Sequence, residues 1–267
     1  MMSDGADRNC SIVRTVAEPS GLYDMGKDNN RLLLAMQPAE LRPLLPWLEP
    51  VTLLPGETLA EFEQPVCHLY FPQSAVLAIQ SRARGSGFVE TSTVGREGAF
   101  GIVTVSGSGL SIGRVVVQIA GRALRARADV FRDVLAASPG IQDLRTRYTE
   151  AAMILMAQSI ACKTLHSVEE RLSRWLLTYR DRTGSDTIPL TQEALAESLG
   201  VQRTTITAAA RNLQNRELIR YRRGVIECVD IEGLRRASCE CYGIVRDAFS
   251  RLLPYTYNDP PARYGLA

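Results

Sequence analysis

The segment from Pro189 to Val225, PLTQEALAESLGVQRTTITAAARNLQNRELIRYRRGV, sets the tightest limits on how this chain folds. It reads as two helices across a sharp turn, followed by a basic hairpin. Thr191 is placed to cap the first helix, with Glu193 in its first turn. Leu195, Ala196 and Leu199 repeat at helical spacing and turn one face inward. Gly200 ends that helix, because a residue that adopts positive φ freely suits the C-terminal cap. A second helix is expected from about Gln202 to Glu217, buried through Ile206, Ala209, Ala210 and Leu213. Ala196 lets two crossing helices approach closely, Gly200 reverses the chain, and Ile206 fills the angle between them. That spacing of a small residue, a glycine and a branched aliphatic is the helix-turn-helix pattern. Leu218 to Tyr221 and Val225 to Val229 then alternate as strands about a turn at Arg222-Arg223-Gly224, which makes a wing.

Charge points to a nucleic-acid partner. Between Gly200 and Val225 there are six arginines (203, 211, 216, 220, 222 and 223) and one acid, Glu217, whereas the whole chain carries a net charge of only +2. A local basic excess on a helix and the adjoining turn is a phosphate-binding footprint. The alternative is an ordinary solvated helix whose arginines serve solubility. The first turns of a recognition helix reach base edges in the major groove. Here they carry Gln202, Arg203, Thr204 and, one turn on, Thr207 and Ala208. Arg203 suits a bidentate pair with guanine and Gln202 one with adenine. Thr204 and Thr205 suit phosphate oxygens or a thymine methyl. Arg211, Arg222 and Arg223 suit the backbone or the minor groove. For any one of these positions, plain solvent exposure is the competing reading.

The 267 residues allow two domains and a sizeable core. No apolar run approaches the roughly 20 residues a membrane-spanning helix needs, and the N-terminal stretch lacks the apolar core of a secretory signal. Six cysteines (10, 67, 162, 228, 239 and 241) are scattered without framework spacing, and read as reduced thiols in a cytoplasmic protein. The cations are 29 arginines and two lysines, a bias that phosphate binding and genome base composition explain equally.

Residues 1–29 are polar and aperiodic and read as a flexible tail. Residues 30–140 read as an antiparallel β-roll. Short helices broken at Pro38, Pro43 and Pro46 precede β-type runs that recur between turn signals every eight to twelve residues. In one such run, Val115, Val117 and Ile119 share a face, with Arg114, Val116 and Gln118 opposite. A short helix over 131–137 stops at Ser138-Pro139-Gly140. A long helix follows over 141–170. Ile141, Leu144, Tyr148, Ala151, Leu155, Gln158, Cys162, Leu165, Glu169, Leu172 and Leu176 keep a three-four alternation, close to a coiled-coil seam. That seam is expected to meet a second copy of the chain, with another face covering the β-roll; the alternative is a buried helix in a monomer. A hinge is expected around Glu169, before a helix over 172–180. Residues 171–250 hold the winged helix-turn-helix and a closing amphipathic helix, and 251–267 a C-terminal tail. The fold class is α+β.

A β-roll, a long dimer helix and a C-terminal winged helix, in that order, resemble the Crp/Fnr family of bacterial transcription regulators over about residues 30–235. The most specific residues are TQEALAESLGVQRTTIT (191–207) with the Arg222-Arg223-Gly224 wing; PGE at 55–57, HLYF at 68–71 and GREGAFG at 95–101 resemble the family's roll. The resemblance implies a homodimer on a two-fold site in double-stranded DNA, transcription regulation, RNA polymerase as a further candidate partner, no membrane, and an effector site in the roll. The chain departs from the family at the effector. Cyclic-nucleotide binders of this fold carry Gly-Glu before a short helix and Arg-Ser or Arg-Thr after it, with the Glu on the ribose and the Arg on the cyclic phosphate. Here Gly101 is followed by Ile102, and Arg114 by Val115. An unpaired ribose hydroxyl costs about 1–3 kcal/mol, so cyclic-AMP binding of the family's kind is not expected. Arg114 stays a candidate for some other anion or for a neighbouring carboxylate.

No cofactor or metal site is expected. An iron–sulfur sensor of this kind would need cysteines clustered near the N-terminus, and only Cys10 is there. Cys239 and Cys241, placed on one helix, point about 200° apart and do not chelate together; with Cys228 they form a candidate thiol site or plain packing. His68 and His166 are haem candidates or packed imidazoles. There is no P-loop, HExxH or GxSxG, hence no enzyme signature. Two functions stay open: a DNA-binding regulator, or a ligand-, redox- or haem-sensing protein whose helix-turn-helix contacts protein.

Overall fold

The structure is a computed structural model that describes residues 29–83 and 87–257. The expected N-terminal tail therefore lies, except for Asn29, outside the described residues, as does Cys10. At its edge the chain is already tied down. Asn30 caps α1 (Arg31–Leu34) by accepting from the amides of Leu32 and Leu33, and its Nδ2 donates to the carbonyls of Pro72 and Gly98, both at 2.8 Å. The next helix, α2 (Pro38–Leu41), starts on a proline, whose missing N–H costs nothing in a first turn.

Among the described residues seven strands make the roll: β1 (Glu49–Leu53), β2 (Thr58–Ala60), β3 (His68–Pro72), β4 (Val76–Ala83), β5 (Gly87–Val94), β6 (Arg114–Ile119) and β7 (Gly121–Arg127). They form two antiparallel sheets, ordered β1-β7-β3 and β2-β6-β4-β5. Strand β6 alternates as its sequence dictates, with Val115, Val117 and Ile119 buried and the intervening residues half-buried. Val51, Leu53, Tyr70, Leu77, Phe100, Val115 and Val117 close the space between the sheets.

Helix α3 (Ala128–Ala137) leads into the 27-residue α4 (Pro139–Leu165), capped by Ser138, whose Oγ accepts from the Ile141 amide. The apolar seam of α4 corrects the sequence reading. Ile141, Leu144, Tyr148, Ala151 and Leu155 are buried in this chain's own core, against the roll, the N-terminal helices and the C-terminal helix. Met153 and Ile160, 61% and 69% exposed, lie on another face, while Leu165 at the far end of the seam is itself 74% exposed.

The break after α4 is short. His166 is extended, and Ser167 and Glu170 form a capping box that starts α5 (Val168–Thr183) at once. The hinge thus falls at His166–Ser167 and not within the following acidic stretch. Then come β8 (Thr187–Pro189), α6 (Gln192–Leu199), α7 (Arg203–Asn215), β9 (Ile219–Arg222), β10 (Val225–Cys228), α8 (Ile231–Ala237) and α9 (Cys241–Leu252). Strand β8, unmarked in the sequence, pairs with β10 through Ile188 and Ile226 and completes a sheet ordered β8-β10-β9. The closing helix is two helices, broken over 238–240, and α9 packs back along α4. No helix among the described residues is long and apolar enough to cross a membrane.

Candidate nucleic-acid interface

Thr191 caps α6 by accepting from the Ala194 amide at 3.2 Å. Gly200 ends it in the left-handed region, φ 65°, where any Cβ meets the clash that disfavours L-residues. The Leu199 carbonyl, orphaned at the helix end, accepts from the buried Arg171 guanidinium. Ala196, Leu199, Ile206, Ala209, Ala210 and Leu213 are buried together with Leu172, Trp175 and Leu176 of α5. The small residues therefore sit where the two helices cross, as the spacing requires.

Packing that face inward turns the opposite face of α7 outward. Gln202, Arg203, Thr204 and Thr205 at its leading end are exposed, and so is Arg211 further on. Arg203 is 66% exposed, with only a loose 3.9 Å approach to Glu193. Thr207 is half-buried, and its hydroxyl reaches Gln192 Oε1 and the Arg203 carbonyl, both at 2.9 Å. It braces α7 against the start of α6. Two of the six arginines are occupied inside the chain: Arg216 with Glu169 at 2.7 Å and Arg220 with Glu227 at 3.5 Å.

The wing turn is tight. Arg222 pairs with Val225, leaving Arg223 (φ 48°) and Gly224 (φ 78°) as a two-residue loop with both φ positive. That is the primed turn matching the strands' twist. An arginine at a position that favours Gly, Asn or Asp carries backbone strain. It also places Arg222 and Arg223, both exposed, at the tip. The wing is anchored by the Tyr221 hydroxyl, which accepts from the Gln192 amide, and by Gln214, which accepts from the Tyr221 amide.

The winged helix is docked on the roll. Gln118 of β6 donates to Ser198 of α6 and to Glu90 of β5, and Lys163 of α4 donates to the Glu90 carbonyl at 2.7 Å. Burial pushes the Glu90 carboxyl up to about 7, against hydrogen bonds from Gln118 and Ser198 and the charge of Lys163, which lower it.

Arg114 faces a carboxylate. Its Nη2 donates to Thr58 Oγ1 at 3.1 Å, its Nε lies 3.4 Å from Glu61, and its guanidinium stacks over Phe88. It lines the cleft between the roll and α6. A separate cavity of about 350 Å³ lies between the roll and α4, lined by Val94, Phe100, Val103, Met153 and Met156 with Thr93 and Glu97.

The sequence reading missed one constellation. Cys162 in the last turn of α4, His166 after it, and Cys239 and Cys241 around the α8–α9 break bring their ligand atoms within 4.8 Å of one another. The expectation that Cys239 and Cys241 diverge rested on one continuous helix; the break at 238–240 redirects them. Cys228, the third cysteine proposed for that site, lies elsewhere, in the winged-helix core. No metal site is expected from the sequence, yet these four side chains are close enough together to hold one ion. The readable signal was Cys-x₃-His at a helix end plus Cys-x-Cys. The reduced-thiol reading is also corrected at one position, for Cys67 is disulfide-bonded while Cys162, Cys228, Cys239 and Cys241 are free thiols.

A helix-turn-helix with a basic wing, carried on a β-roll and a long helix, is the architecture of a DNA-binding protein. Residues 170–237 match the Crp-like helix-turn-helix domain family, so this segment is a Crp-like helix-turn-helix domain. No curated protein sequence matches the chain. Among solved structures it is similar to FixK2 from Bradyrhizobium japonicum, at 12% identity over 72% of this chain and 98% of that one, TM-score 0.61. It is also similar to the c-di-GMP-responsive global regulator CLP of Xanthomonas campestris, at 12% identity over 72% and 99%, TM-score 0.58. A third is a Crp/Fnr-family transcriptional regulator from Thermus thermophilus, at 16% identity over 71% and 98%, TM-score 0.56. The chain has the fold of the Crp/Fnr regulators.

Proposed function

We propose that the chain is a sequence-specific, DNA-binding transcription regulator that acts as a homodimer on a two-fold site. The observation that carries this reading is the split of α7: one face seals the domain core, while Gln202, Arg203, Thr204 and Thr205 at its leading end stay open to solvent. Arg203 and Gln202 read base edges. Thr204, Thr205 and Arg211 hold phosphates, Thr207 orients the helix, and Arg222 and Arg223 grip the backbone beside it. Met153 and Ile160, outside the chain's own core, supply the apolar stripe for the second copy. The apolar cavity between roll and α4 supports a sensor role, with Arg114 committed to Glu61 and not to that cavity.

The test is selection of bound duplexes from a random pool, followed by footprinting. The reading expects two inverted half-sites spaced by about one helical turn or a multiple of it. Enrichment of a single half-site would remove the dimer, and no enrichment at all would remove the DNA function.

A further inference from the structure

The cysteine–histidine constellation lies away from the DNA-facing helix and plays no part in the function proposed above. Cys162 is in the last turn of α4 and His166 caps that helix, and their ligand atoms face the same side. The α8–α9 turn brings Cys239 and Cys241 to meet them. Cys162 Sγ lies 3.5 Å from Cys239 Sγ, and Cys241 Sγ lies 3.5 Å from His166 Nδ1. The three cysteines are 2%, 4% and 0% exposed and form a cluster of their own, apart from the three apolar cores. Cysteines that merely fill space would be dispersed among aliphatic side chains. Four soft donors from two elements converge here instead.

We propose that Cys162, His166, Cys239 and Cys241 form a tetrahedral zinc site that clamps the end of α4 to the C-terminal helices of the winged domain. A zinc ion holds sulfur at about 2.3 Å and imidazole nitrogen at about 2.0–2.1 Å, so tetrahedral edges run about 3.8 Å between sulfurs and about 3.5 Å from sulfur to nitrogen. The Cys162–Cys239 and Cys241–His166 separations match such edges, and all four ligand atoms lie within 4.8 Å of one another, close enough to close on one ion. A cluster of several irons and sulfides spreads its ligands further. Thiolate and imidazole donors select zinc over the hard cations. Four protein ligands leave no open position, which makes the site structural and not catalytic.

The surroundings complete it. Glu240 Oε1 lies 3.2 Å from His166 Nε2 and holds the proton there, leaving Nδ1 to face the thiols. Gln158 Nε2 donates to Cys241 Sγ at 3.0 Å. Three thiolates and one Zn²⁺ leave a net charge of −1, and Arg171 and Arg174 line the same cleft as Cys162 to offset it. Binding releases the thiol protons to solvent and changes no oxidation state. The ligands straddle the His166–Ser167 break, so an ion there fixes how the winged helix is set on the long helix.

The test is metal analysis of the full chain purified under reducing conditions without chelator. One zinc per chain is expected, retained in Cys228→Ser and lost in Cys241→Ser and in His166→Gln. The metal-free wild-type chain titrated with Co²⁺ alone keeps the result independent of variant folding. It should give the intense visible bands of tetrahedral thiolate-bound cobalt, saturating at one equivalent. Substoichiometric zinc with a pale octahedral cobalt spectrum would overturn the proposal. So would iron with acid-labile sulfide in place of zinc, or a Cys162–Cys239 disulfide in the reduced preparation. None of these results bears on DNA binding, so this proposal and the function above stand or fall separately.

Discussion

Arg182 of the winged domain and Glu97 of the roll form an ion pair, Nε to Oε1 at 2.8 Å, with the side chains 5% and 7% exposed. Arg182 also donates to Thr93 Oγ1 on β5. Gly95 makes room for its stem, since a Cβ there would lie 2.5 Å from that of Arg182. A buried pair of this kind fixes one arrangement of the two units more than it adds net stability, because desolvation offsets much of the attraction. Removing one partner is another matter. Glu97→Ala strands a buried guanidinium and is expected to cost about 3–5 kcal/mol, read as a lowered urea midpoint. The double variant Glu97→Leu/Arg182→Met should recover most of the loss. A single variant within about 0.5 kcal/mol of wild type would show that the pair is hydrated in solution.

The docking of the winged helix on the roll should depend on pH through Glu90. Burial raises its carboxyl to about 7 in the docked arrangement, against an ordinary value of 4.5. A group whose pKa is raised on docking contributes stability that is full below the ordinary value and lost as pH rises through the raised one. Thermal midpoints should therefore fall between pH 5 and pH 8, and Glu90→Gln should flatten that fall. An unchanged slope in the variant would assign the dependence to other groups.

The wing tip carries strain that a single substitution can relieve. Arg223→Gly places a permissive residue at φ 48° and should raise stability by about 0.5–1 kcal/mol. It also removes the phosphate contact proposed for Arg223, so DNA affinity should fall and the salt slope flatten by about one ion. Stability and affinity moving in opposite directions distinguishes a functional wing from a turn that merely tolerates arginine.

Much of this architecture was legible in the sequence wherever local spacing decides the outcome. Thr191, Gly200 and the buried face of α7 follow from capping and helical periodicity, and β6 alternates because one face is sealed in the roll while the other is only half-buried beneath α6. Legibility failed where partners distant in the chain decide. The α4 seam packs within its own chain, whereas periodicity reports only that a face is buried and not what buries it. Strand β8 is three residues long and exists only because Ile226 offers Ile188 a partner. The cysteine–histidine cluster was hidden by a break at Ser238 that no glycine or proline announces. Nothing local couples Arg182 to Glu97.

The most direct measurement is the affinity of wild-type and Arg203→Ala protein, side by side, for the enriched duplex and for a scrambled one at fixed salt. With Arg203 reading a base, the variant should lose about 1–3 kcal/mol on the enriched site, while binding to scrambled DNA changes little. Equal losses on both duplexes would show a phosphate contact and no base reading by Arg203. Salt-insensitive binding, or none to either duplex, would contradict the placement of α7 in a DNA groove altogether.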